Sequence, residues 1–269
     1  MSDPAVHLLD DEDARAGMQA HEFSDAFLEA HLGEERRRAS LLGEIREAVF
    51  GAQDGLVSTL AVVSAVAGAG TDRFGVLVAG LAAALAGIFS MAAGEYLSSK
   101  SQREIFDAQI VDERREVHER PGEAEAEIAY LFAEEGLPRE TANRVARAMA
   151  EHPDVLLKTM VEKELGLAVE PEEGSPMQGA LVMGGAFGLG SIVPILPHIF
   201  AGRDMAVIAS TVATLGVLFG IGVVKSLWTH RSWWSSGLEI LVIGAFAGIA
   251  GYFFGSILPG LLGAPGVSA

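Results

Sequence analysis

Cysteine is absent from the 269 residues, which excludes disulfides, iron–sulfur clusters and thiolate zinc sites. Basic residues are scarce: 19 Lys and Arg stand against 36 Asp and Glu, a formal net charge of −17. Such a surface is a poor nucleic-acid binder, because phosphate contacts are made by Lys and Arg. Its natural partners are cations. No G-x-x-x-x-G-K-[ST] phosphate loop occurs, so no ATP-driven pump is indicated. No E-x-x-H pair occurs either, which argues against a di-iron bundle of the ferritin type. Ser58, Ser90 and Ser191 stand in no spacing with His198 that builds a hydrolase, so neither an enzyme nor a resident cofactor is expected. The acidic N-terminus lacks the basic stretch and short apolar run of a signal peptide.

What is present is apolar mass kept apart from acid. Half of the chain is hydrophobic and 32 residues are glycine. Residues 1–47 hold 12 Asp and Glu against 5 Lys and Arg, and residues 99–176 hold 19 against 10. Everything else, over half of the length, holds 5 acids and 4 bases. This is the pattern of an all-α membrane protein with acidic parts in water. Five apolar segments, near 48–70, 75–98, 177–200, 206–229 and 237–260, each have the roughly 20 residues needed to cross about 30 Å of hydrocarbon. Arg36, Arg37, Arg38 and Arg46 precede the first segment, Lys100 and Arg103 follow the second, and Lys225 and Arg231 flank the join of the last two. Only Arg73 and Arg203 lie at the opposite ends, so the N-terminus and the 99–176 insert are expected in the cytoplasm and the C-terminus outside.

The chain therefore divides into an acidic tail and amphipathic helix (1–47), two spans (48–98), a cytoplasmic helical insert (99–176) and three spans (177–262). Residues 1–20 read as disordered and 167–176 as a linker. Pro121 suits a helix start and Gly136 its end, while Pro138 and Pro153 open two more short helices, the last closing at Gly166. Pro194 and Pro197 should kink or end the third span, with His198 beside them at the membrane interface. Gly184/Gly188, Gly216/Gly220, Gly244/Gly248 and Gly251/Gly255 are each four apart, which suits close helix packing within one chain or along a dimer seam.

Two groups of residues carry chemistry. Asp54 lies about two turns inside the first span in "VFGAQDGLVSTL", where a carboxylate costs roughly 2.5–3.5 kcal/mol at a helix centre and marks an ion or proton path. Met91 and Glu95 are four apart and share a face of the second span. In the insert, Glu113 and Glu116, Glu123 and Glu127, and Met160 and Glu164 form three pairs at helical spacing, able to converge on one acidic cluster. Carboxylates with a thioether, and no imidazole or thiolate, suit Fe²⁺ or Mn²⁺ better than zinc. Spacing alone favours a solvated, salt-bridged face over a metal cluster.

The stretches "REAVFGAQDGLVSTLAVVSAVAGA", "SMAAGEYLSSKSQREIFDAQI" and "LLKTMVEKELGL" resemble the vacuolar iron transporter family over roughly residues 43–262. That resemblance implies a homodimer of five-span protomers moving Fe²⁺, and often Mn²⁺, out of the cytosol in exchange for protons. It assigns Asp54 and Met91 to the transport path; Glu95, on the Met91 face, is a further candidate for that path or a side chain snorkelling to the cytoplasmic end. It assigns Glu113, Glu116, Glu127, Glu164 and Met160 to a cytoplasmic metal site. Two positions depart from the family pattern. Ala82, Ala83 and Ala84 stand where some members carry a glutamate in the second span. Ala124 stands where the insert should have its fourth glutamate, leaving Glu123 or Glu125 to substitute. A prokaryotic cytoplasmic membrane is the expected home. The competing reading is a membrane-anchored iron buffer or sensor, for which Asp54 and Met91 would be needless.

Overall fold

The computed structural model describes residues 23–166, 175–229 and 231–261, and among them every regular element is helical. Among the described residues nine helices follow one another: α1 Asp25–Gly68, α2 Arg73–Glu119, α3 Pro121–Glu134, α4 Arg139–Ala150, α5 Pro153–Lys163, α6 Pro176–Ile195, α7 Pro197–Phe200, α8 Arg203–Thr229 and α9 Trp233–Leu261. Five stretches are long and apolar enough to cross a membrane: α1, α2, α6 with α7, α8 and α9. The all-α, five-span architecture expected from the sequence is the one observed. The chain separates into two compact units, Met1–Glu47 and Ala48–Ala269. In the first, helix begins at Asp25 and presents Leu28, Leu32, Leu41 and Leu42 at its surface. The disorder read for residues 1–20 and most of the linker at 167–176 fall outside the described residues.

Within the second unit α1 is central, with Leu56, Leu60 and Val63 wholly buried. Leu60 and Val63 join Val76, Ala84 and Ile195 in one apolar cluster, and Leu56 joins Leu218 and Ile240 in another. Outward faces remain apolar: Phe74, Phe89, Phe200 and Phe246 are all exposed, as lipid-facing side chains must be. At one end of α8 and α9, Phe219, Trp233 and Trp234 stack edge to face, with centroids 5.3–6.4 Å apart. Exposed tryptophans at the start of a span suit the membrane–water boundary.

The glycines account for the tightness of this bundle. A Cβ on Gly55 would strike the Phe187 carbonyl, so α1 and α6 approach backbone to backbone only because residue 55 has no side chain. Gly251 and Gly255 press in the same manner on the carbonyls of Ala61 and Ala65, and Gly184 and Gly188 lie against Ile88. Gly244 and Gly248 meet Leu218 and Leu60. Three of the four expected glycine pairs thus pack within the chain, whereas nothing lies within 4 Å of a Cβ placed on Gly216 or Gly220.

Proline punctuates the third span as physics requires. Pro194 is tolerated inside α6, the helix ends at Ile195, and a single further turn follows from Pro197. The Pro194 carbonyl accepts a hydrogen bond from Ser210 Oγ at 2.7 Å. His198 differs from its expected interfacial position: it is buried, and its Nε2 has no hydrogen-bond partner. Folding the short α7 back against α8 encloses it, because Pro197 breaks the run of the helix just before it.

Helix α2 continues past the expected span end at residue 98 and stops at Glu119, 21 residues on. Helices α3, α4 and α5 then pack on one another and on α2 around Val117, Ala124, Ile128, Ala146, Leu156, Met160 and Val161. Gly136 has φ +107°, the left-handed conformation that closes a helix and that glycine adopts without a Cβ clash. Pro121 and Pro153 each stand in the first turn of their helix, where a missing N–H costs nothing.

Candidate metal path and acidic cluster

Asp54 lies on α1 one turn before Ser58, whose Oγ donates to the Asp54 carbonyl at 2.6 Å. Both line a cavity of about 220 Å³ with Val62, Ala83, Gly87, Ser90, Met91 and Phe187. Asp54 and Met91 therefore line one space, an open cavity walled by α1, α2 and α6. Phe187 is buried, and its ring occupies the room left by the missing side chain of Gly87. Just beyond, the Thr59 hydroxyl donates to Ser191 Oγ at 3.0 Å, and Ser191 donates to the Phe187 carbonyl at 2.8 Å. These hydroxyls satisfy one another inside the bundle and fix the backbone that carries Phe187. Glu95 does not line the cavity: it is half-buried one turn along α2 and accepts from Ser99 Oγ at 2.6 Å. Ala83, at the position where a second carboxylate was looked for, forms part of the wall.

Ser58, Ser90 and Phe187 were not singled out as lining residues from the sequence. A hydroxyl one turn after Asp54 was a usable signal for Ser58. No signal existed for Phe187, whose place depends on how α6 is rotated against α1 and α2.

The second group lies where α2, α3 and α5 meet. Glu116 on α2 and Glu123 and Glu127 on α3 offer carboxylate oxygens that all lie within 4.8 Å of one another. Glu113 joins them one turn earlier on α2. Burial pushes its carboxyl above the ordinary glutamate range, and the negative charges of Glu164, Glu116, Glu127 and Asp112 push it further. One of its oxygens, Oε2, is buried without a hydrogen-bond donor. Glu127 is raised as well, by burial and then by Glu116, Glu164 and Glu123, against a lowering pull from Arg120. Glu164 is exposed just past the end of α5, its N–H bonded to the Met160 carbonyl at 2.8 Å. Met160 itself is wholly buried in the insert core beside Ile128 and Leu156. Ala124 is buried in that same core, so a glutamate there would face apolar side chains, whereas Glu123 points to the cluster. Glu125, the other substitute considered, pairs with Arg147 at 3.6 Å.

A group of mutually repelling carboxylates around one point can take up a hard divalent cation, since a cation or protons relieve the repulsion. Glu116 and Glu123 also pair with Arg120, at 3.1 and 2.7 Å, as glutamates on a solvated helix face do.

The model of the VIT family matches residues 45–256. The chain belongs to the VIT family. It is 33% identical over 223 residues to "Vacuolar iron transporter 2" of Oryza sativa subsp. japonica, covering 82% of this chain and 90% of that protein. It is 33% identical over 218 residues to "Vacuolar iron transporter 1" of Arabidopsis thaliana, covering 80% and 87%. "Protein CCC1" of Saccharomyces cerevisiae is 26% identical over 223 residues, covering 80% of this chain and 69% of that protein. The matched region takes in all five spans and the insert, and it sets the chain among transporters, not enzymes.

Proposed function

We propose that the protein moves Fe²⁺, and also Mn²⁺, out of the cytosol by exchange for protons. The observation that carries this reading is the cavity within the spans that unites Asp54 with Met91. A metal ion entering the bilayer must exchange its water for protein ligands, and a negative oxygen is the strongest substitute. The thioether adds a softer contact that favours transition metals over Ca²⁺ and Mg²⁺. A carboxylate that binds either a metal or a proton makes the two compete for one group, which is sufficient for antiport. The relatives' names, which specify iron and transport, support the substrate.

The acidic cluster of Glu113, Glu116, Glu123, Glu127 and Glu164 captures the metal on the cytoplasmic side, with Met160 of the adjoining core as its sulfur ligand and Glu95 in the path through the second span. The excess of Lys and Arg at the N-terminal and insert ends of the spans supports that orientation. The protein works as a homodimer in a cytoplasmic membrane, with the open Gly216 and Gly220 face available for close helix contact.

The test is Fe²⁺ flux into proteoliposomes under an imposed pH gradient, comparing the parent with Asp54→Asn. The substitution keeps size and removes charge. It is expected to fold, to keep metal binding by the insert, and to lose at least tenfold in flux along with its pH dependence. Normal, pH-dependent flux in Asp54→Asn would make the carboxylate structural and refute the mechanism.

A further inference from the structure

Arg120 is one exposed arginine among many in the sequence, yet the fold gives it a singular place. It is the only residue between α2 and α3, with φ −133° and ψ 53°, neither helical nor a glycine-type turn. Its N–H closes α2 on the Glu116 carbonyl at 2.7 Å, and its own carbonyl accepts the first N–H groups of α3, from Glu123 at 2.9 Å and Ala124 at 3.2 Å. The side chain returns over this joint. Nη2 meets Glu116 Oε2 at 3.1 Å, and Nη1 meets Glu123 Oε2 at 2.7 Å. One guanidinium thus bridges carboxylates from two helices, and both belong to the group of three whose oxygens lie within 4.8 Å.

We propose that Arg120 is the resident counter-ion of the acidic cluster, holding Glu116 and Glu123 together until a divalent cation displaces it, and so setting the affinity of the site and its rate of release. This rests on reading the cluster as a metal site. The displacement follows from charge and distance. A divalent ion carries twice the charge of a guanidinium and approaches oxygen to about 2.0–2.6 Å, closer than either Arg120 contact. Both cations draw on the same carboxylates, so metal binding must first break the two ion pairs. Arg120 is more than half exposed, and its released head group passes into water without further rearrangement. The arginine lowers affinity, keeps the metal-free carboxylates from forcing α2 and α3 apart, and stands ready to expel the metal again. A transporter gains from that arrangement, since a capture site that binds too tightly would hold its cargo.

The experiment is calorimetric titration of the detergent-solubilised full chain with Mn²⁺, comparing the parent, Arg120→Gln, Arg120→Lys and Glu127→Gln. Glu127→Gln identifies the part of Mn²⁺ binding that belongs to the cluster. In that part, Arg120→Gln is expected to bind about two- to thirty-fold more tightly, the equivalent of two part-exposed ion pairs that need no longer be broken. Its dissociation should slow by a similar factor. Arg120→Lys should stay near the parent, and metal-free Arg120→Gln should unfold at a lower temperature than the metal-free parent. Should Arg120→Gln not fold, Arg120→Met supplies a second neutral side chain. Equal or weaker Mn²⁺ binding in the neutral variant, with binding still lost in Glu127→Gln, overturns the counter-ion assignment and leaves the metal site standing. Binding in Glu127→Gln equal to that of the parent, or none in the parent, overturns the metal site itself.

Discussion

Replacing Glu113 by glutamine should stabilise the protein without metal and destabilise it with metal. The metal-free half of this follows from the Oε2 atom, which is buried and accepts no hydrogen bond. A buried, unsatisfied polar atom costs about 1–3 kcal/mol, and the lower end applies here because the rest of the side chain is partly solvated. An amide in its place has N–H donors to offer Glu164, Glu116 and Glu127, the charges that raise the Glu113 carboxyl. A gain of about 1 kcal/mol corresponds to a rise of about 2–4 °C in Tm for a chain of this size. The metal-bound half has the opposite sign. Mn²⁺ at 100 times its Kd stabilises the parent by about 2.7 kcal/mol, and a variant lacking one anionic ligand forfeits part of that gain. The pH dependence has a definite direction too. Glu113 and Glu127 are both raised above the ordinary glutamate value of 4.5, so the folded state holds protons that the unfolded state has released. Their contribution to stability is therefore greatest below pH 4.5, and it declines as the pH rises towards the raised folded values. Above those values the full repulsion remains. Glu113→Gln should flatten this decline in metal-free protein. Thermal melts followed by circular dichroism, across pH and with or without Mn²⁺, test all three parts. A lower metal-free Tm in Glu113→Gln, or an unchanged pH slope, would refute the account of repulsion.

Met160→Leu separates ligation from packing: a volume-conserving core exchange should cost under about 1.5 kcal/mol in metal-free stability, while a lost sulfur ligand weakens Mn²⁺ binding in the same calorimetric titration. Unchanged Mn²⁺ affinity would leave Met160 as core alone. Gly55→Ala, forced against the Phe187 carbonyl, should cost about 1–3 kcal/mol and lower transport, whereas Gly43→Ala, with open space around it, should gain up to about 1 kcal/mol from helix propensity. Thermal melts of the two variants, run side by side, check the pair.

The elements most legible in the sequence are those set by backbone chemistry. Pro121 and Pro153 stand where α3 and α5 begin, and Gly136 takes the positive φ that ends a helix. Each acts through a missing N–H or a missing Cβ, whatever surrounds it. The five spans were legible because length and apolarity are properties of one segment. Cavity and cluster depend instead on how segments are turned toward one another. Spacing put Glu123 and Glu127 on one face of α3, but nothing in spacing reveals that α2 and α3 meet at a single residue whose side chain folds between them. Phe187 was unreadable for the same reason, since its ring reaches the Asp54 cavity only through the gap at Gly87. The prolines at 194 and 197 kink and end the third span as their chemistry requires, but the burial of His198 depends on the turn after them packing onto α8, which no single segment reveals.

Helix α2 carries Met91 and Glu113 on one continuous rod of 47 residues. The two positions are 22 residues apart, about 33 Å at 1.5 Å per residue. At physiological ionic strength a charge is felt over about 8 Å, so roughly four screening lengths separate the cluster from the cavity. The glutamates therefore cannot draw an ion into the membrane by their field, and no metal can touch both places at once. On the function proposed above, passage between them is a diffusive hop, and the cluster acts as a reservoir that raises local supply, replenished or drained independently of each crossing.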